Sequence, residues 1–136
     1  MPARSRARKK ALDILYASEM RGEDAVDALD RAIEAGEGPS NPYAALLVRG
    51  VVEHRVRIDE LLTEYSQSWA LNRMPAVDRN VLRIGVFELL WSEDVPDAVA
   101  VDQAVTLVQQ LSTDDSPAFV NGVLGTMMRE KDRIVA

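Results

Sequence analysis

Apolar residues recur along this chain at spacings of three and four, and strand-type alternation is nearly absent. The first such stretch runs from near Ser5 to Gly22. Ala7, Ala11, Leu15 and Ser18 fall on one side of it, with Leu12 and Ile14 widening the stripe. A second helix is predicted from Asp24, an N-cap residue type with Asp27 three residues on, to Gly36. Residues 36–41, GEGPSN, read as a linker. Asn41 before Pro42 then sets a capping residue ahead of a proline at the first helical position, a strong start signal.

The third stretch, from Pro42 to about Ser68, keeps Leu47, Val51, His54, Ile58, Leu61 and Leu62 on one face and suits either one long helix or two. Pro75 opens a helix to about Trp91. Its apolar residues cover most of the circumference, which predicts a central buried helix. Asp94-Val95-Pro96-Asp97 breaks the chain, and Val101, Ala104, Val105, Val108 and Leu111 mark another amphipathic helix. After the turn STDD, Ser116-Pro117 repeats the cap-plus-proline signal. The last helix carries Val120, Val123, Leu124 and Met127 inward and frays into charged residues. Six or seven helices and no strand predict an all-α bundle. Gly50, Gly85, Gly122 and Gly125 lie inside these helices, where each costs about 1 kcal/mol against alanine. Close helix–helix approach is the expected compensation.

The 136 residues are 47% hydrophobic and 28% charged, which suits a soluble folded domain and is too apolar for wholesale disorder. No apolar run approaches the ~20 residues of a membrane span. The apolar run after the basic start is broken by Asp13 and Glu19, so no secretory signal is legible. The lack of cysteine excludes disulfides and thiolate metal sites and suits a reducing cytoplasm, the expected location. One histidine, His54, leaves no material for a His-cluster metal site.

Catalysis finds little support. His54, among Leu47, Val51, Ile58 and Leu61, reads as a hydrogen-bonded core or interface histidine before it reads as a general base. Neither the Walker pattern nor the dinucleotide fingerprint occurs. Acidic pairs such as Asp114-Asp115 and Glu93-Asp94 stand at helix ends, where they serve helix termini and solubility. No carboxylates take a metal-loop spacing. A non-enzyme without cofactor, metal or catalytic residue is expected.

Binding fares better. The net charge is −6, yet residues 1–12 hold Arg4, Arg6, Arg8, Lys9 and Lys10 and no acid, which leaves 11 basic against 22 acidic residues elsewhere. A basic end on an acidic body directs a polyanion to that end, although a solvated terminus explains the charge as well. Such cations would grip phosphates without reading sequence. Base selection needs a stacking platform, and aromatics are only 5% of the chain. Phe119, in the first turn of the last helix and off its apolar line, either caps the core or stacks on a base. Periodicity favours the first. Tyr16, at the edge of the first helix's stripe, is a partner contact or a half-buried core residue.

Four segments carry a resemblance: RSRARKKALDILY, PAVDRNVLRIGVFEL, DVPDAVAVDQAV and DDSPAFVNGVLG. In this order and spacing, the chain resembles the NusB family of bacterial transcription antitermination factors over essentially its whole length. The resemblance implies one NusB-like RNA-binding domain over 1–136, with helical subdomains of roughly 1–70 and 71–136. It implies two partners, the boxA element of ribosomal leader RNA and the small-subunit ribosomal protein NusE, within a transcription complex of RNA polymerase and other Nus factors. No membrane is involved, and some relatives form homodimers.

Residue by residue, the family's arginine-rich start falls on Arg4, Arg6, Arg8 and Lys9. Its F-V-N-G-V-L aromatic is Phe119, which reverses the preference from periodicity and implies base stacking. Asp115 matches an acidic position beside the RNA surface. Tyr16 and Asp78 match partner-binding positions, Asp78 in the exposed-looking part of the central helix, and Arg79 joins them by proximity. Relatives commonly carry a lysine or arginine before the phenylalanine; here Ala118 removes that phosphate contact. Two other classes stay open. One is a helical protein–protein module, homodimeric in some relatives, without RNA binding of its own. The other is the helical domain that precedes some ribosomal RNA cytosine methyltransferases, for which 136 residues leave no room for a cofactor sheet.

Overall fold

The computed structural model describes residues 2–136, which form eight α-helices and, among the described residues, no strand. The chain divides into two compact units, Met1–His54 and Arg55–Ala136. Residues 36–41 lie inside the first unit, and the segment 55–70 belongs to the second.

The first unit holds α1 (Ala3–Arg21), α2 (Ala25–Glu34) and α3 (Pro42–Glu53). Its helix ends follow local chemistry. Gly22 closes α1 in the left-handed region at φ 68°, which glycine adopts without a Cβ penalty. Asp24 caps α2 by accepting from the backbone N–H groups of Val26 and Asp27 at 2.9 and 3.0 Å. Asn41 caps α3 through the Tyr43 N–H at 2.9 Å, with Pro42 in the first turn. Ala7, Ala11, Leu12 and Leu15 of α1 pack with Leu29 of α2 and Ala44, Leu47, Val48 and Val51 of α3.

The second unit holds α4 (Arg55–Tyr65), α5 (Ala76–Trp91), α6 (Asp97–Leu111), α7 (Ser116–Arg129) and α8 (Lys131–Val135). The third predicted stretch is thus two helices, broken at His54, and the fraying end is a short eighth helix. α5 is central. Every residue from Asn80 to Leu89 is buried, and α4, α6 and α7 pack around it. That burial includes Arg83, whose guanidinium makes a two-bond pair with the Asp59 carboxylate of α4 at 2.9 and 3.1 Å. Asp59 also receives Arg55 at 3.0 Å.

The expected close approach holds at Gly85, where a Cβ would sit 2.6 Å from Cδ1 of buried Leu124. It does not hold at Gly122, where a Cβ would meet nothing within 4 Å. His54 is also corrected: it caps the C-terminus of α3, half-buried at the helix break, rather than sitting in the apolar core.

Candidate nucleic-acid interface

Helical period decides which basic side chains of α1 can reach a ligand. Arg4, Arg6 and Lys10 are exposed, and Lys9 is half-exposed in a pair with Asp13 at 3.2 Å. Arg6 and Lys10, one turn apart, line a cleft of about 360 Å³ with the loop at Gly38–Asn41. The Asn41 side-chain amide holds that loop to α1 by donating to the Ala3 carbonyl at 3.2 Å. The linker is therefore a wall of a cationic cleft.

Arg8 is corrected. It is 4% exposed, because position 8 precedes Ala11, Leu12 and Leu15 by three, four and seven residues and so falls within the stripe that faces α3. Its guanidinium lies 5.8 Å from the Tyr43 ring centroid, and that of Arg4 lies 4.5 Å from the same ring. The ring face attracts both cations electrostatically. Tyr43, which the sequence reading missed, fixes the direction of the arginine-rich start. Its only sequence signal is its place in the first turn after a cap-plus-proline start.

In the second unit, Asp115 and Phe119 share the start of α7. Asp115 is exposed and makes no side-chain cap bond. Phe119 is half-buried, and Trp69 meets it edge to face, with centroids 5.0 Å apart and planes at 86°. Such packing steadies a ring while part of it stays open to solvent.

Phe119 also lines a cleft of about 670 Å³ with Tyr65, Gly122, Thr126, Glu130 and Arg133. There the Tyr65 hydroxyl donates to Glu130 Oε1 at 2.9 Å, and Arg133 donates to the same oxygen and to the Tyr65 hydroxyl. The Arg133 bond, with a second from Tyr65, holds the Glu130 carboxyl below its usual range. Desolvation, then the Glu130 bond, pushes the Tyr65 hydroxyl up, and the bond to Glu130 raises Arg133.

The residues expected to bind a protein partner separate. Tyr16 is exposed on α1 at 39%. Asp78 is corrected: it is 0% exposed, covered by the turn between α6 and α7, and accepts from the Ser112 hydroxyl at 2.5 Å. Arg79 is half-buried and donates to the carbonyls of Leu71 and Met74 at 3.1 and 3.2 Å, which fastens the loop before α5. No His, Asp and Glu cluster among the described residues could hold a metal ion, and no helix is long and apolar enough to cross a membrane.

The NusB family model matches residues 5–129. The chain belongs to the NusB family. It is 70% identical over 131 residues to a transcription antitermination protein NusB from Nocardioides sp., covering 96% of this chain and 97% of that one. It is 57% identical over 136 residues to the same-named protein from Saccharopolyspora erythraea, covering 98% and 92%. Among solved structures, T. maritima NusB superposes with a TM-score of 0.84 at 32% identity and 99% coverage of both chains. A chain from the crystal structure of antitermination factors NusB and NusE in complex with dsRNA gives 0.78 at 28% identity, covering 94% and 98%. The all-helical NusB fold is thus the fold of this chain.

Proposed function

We propose that this chain is a transcription antitermination factor that binds boxA-like ribosomal leader RNA together with the ribosomal protein NusE. It thereby supports ribosomal RNA transcription by RNA polymerase alongside other Nus factors. The observation that carries this reading is the outward cationic set of Arg4, Arg6 and Lys10 on α1 of an otherwise acidic chain. Family membership and the likeness to a NusB chain solved with NusE and RNA support it.

The cations supply on-rate and sequence-independent grip by displacing counterions from phosphates. Phe119 supplies a stacking face, which is sequence-tolerant, and the polar groups around it supply preference. Asp115 repels phosphate beside Phe119 and accepts from base or sugar donors. Tyr16 and Met20, both exposed and one turn apart on α1, offer an apolar contact to NusE, with Arg79 as a further candidate contact in the second unit. Joint binding tightens both ligands by one coupling factor.

The test compares retention of leader RNA by the full chain and by a variant with Arg4, Arg6 and Lys10 replaced by alanine, each with and without NusE. Loss of RNA retention in the variant supports the reading. Equal retention contradicts it and favours a protein-only module. A mass measurement of the chain alone reports whether Tyr16 and Met20 instead face a second copy.

A further inference from the structure

We propose that the cleft lined by Phe119, Gly122 and the Tyr65–Glu130–Arg133 cluster is a subsite for one unstacked nucleobase. The inference rests on the RNA-binding reading above and names a base-reading site within it.

The walls of the cleft fit a flat, neutral, polar-edged ligand. One wall is the Phe119 ring, braced by Trp69. Beyond Thr126 stands the cluster, in which Glu130 Oε1 takes the bonds from Tyr65 and Arg133. Glu130 Oε2 makes none among the described residues and is left to accept. Arg133 spends Nε and Nη2 on these contacts and keeps Nη1 to donate. An acceptor beside a donor matches the Watson–Crick edge of a base, where an amino or imino N–H adjoins a ring nitrogen or carbonyl. Phosphate fits poorly, because Glu64 and Glu130 both line the cleft against the single cation Arg133. The depressed Glu130 carboxyl stays an ionised acceptor at neutral pH.

Gly122 sets the volume. It is exposed inside α7, where glycine weakens the helix, and a Cβ there meets nothing within 4 Å. Packing does not require the glycine. Its missing side chain leaves open space in a cleft that it lines.

The experiment uses the full chain and its Gly122→Leu and Gly122→Ala variants. The probe is a labelled single-stranded RNA of about 12 nucleotides carrying the leader sequence, together with a set in which each nucleotide in turn is abasic. The expected result is that Gly122→Leu melts no lower than wild type, keeps its salt dependence and binds about ten-fold more weakly, one stacked base being lost. One abasic position weakens wild type by a similar factor and leaves Gly122→Leu unchanged. Gly122→Ala falls between the two proteins. Binding of Gly122→Leu within about two-fold of wild type, with the same abasic profile, overturns the subsite and leaves the RNA-binding reading intact. Loss of NusE binding with RNA binding unchanged assigns the cleft to the protein partner and also overturns it. A wild-type chain that retains no RNA overturns the reading and the subsite together.

Discussion

The Asp78 carboxylate at the start of α5 accepts a 2.5 Å hydrogen bond from Ser112, the residue that caps the end of α6. Ser116 donates to the Ser112 oxygen at 3.1 Å and accepts from the Thr113 N–H at 3.2 Å. This relay fixes the turn that presents Asp115 and Phe119. The second oxygen of Asp78 is buried without a partner, so the Ser112 bond is the carboxylate's anchor. Ser112→Ala should therefore destabilise the chain by about 1–3 kcal/mol, the cost of stranding a buried acceptor. Urea denaturation checks this, and an unchanged midpoint would show that the relay contributes nothing.

Two helical glycines should respond in opposite directions. Gly122→Ala gains up to about 1 kcal/mol from helix propensity in open space. Gly85→Ala drives a Cβ into buried Leu124 and should cost about 1–3 kcal/mol net, overpacking outweighing propensity. Thermal melts of the two variants separate these effects.

Arg6 and Arg8 are two residues apart and should behave differently. Arg6→Ala lowers RNA affinity and reduces the magnitude of the salt slope by about 0.7, one phosphate contact on a single strand. Arg8→Ala loses buried side-chain packing and the Tyr43 contact, so it lowers the melting temperature while the slope stays near that of wild type. Paired binding isotherms and melts of both variants decide the matter.

The Glu130 cluster gives a stability difference with a defined sign. Its carboxyl is held below the ordinary value of 4.5 in the folded chain, chiefly by Arg133. The contribution is fully present above about pH 4.5 and is lost as pH falls through the lower folded value. Wild type should be more stable than Glu130→Gln at pH 6, with the gap closing in acid. A gap that widens in acid contradicts the assignment.

Helix starts were legible because they are local. Asp24, Asn41-Pro42 and Pro75 carry their signal within four residues, and the structure begins helices at each. The burial of Arg8 was equally legible, since its spacing to Ala11, Leu12 and Leu15 places it in the stripe, but charge outweighed period in the reading. Asp78 was not legible. Its cover comes from Ser112, 34 residues away, and no pattern around Asp78 signals it. The bracing of Phe119 by Trp69 and the cluster of Tyr65 with Glu130 and Arg133 join distant segments and were likewise silent.

The most direct test of RNA binding through the cationic start of α1 is the salt dependence of affinity for single-stranded leader RNA. With Arg8 buried, three cations are open and Lys9 is shared with Asp13, in place of the five read from sequence. The slope of log K against log salt should lie between about −2 and −2.8 rather than near −3.5, and should fall to about −0.7 or less when Arg4, Arg6 and Lys10 are alanine. A slope near zero in wild type, or one unchanged by the triple substitution, would contradict the account.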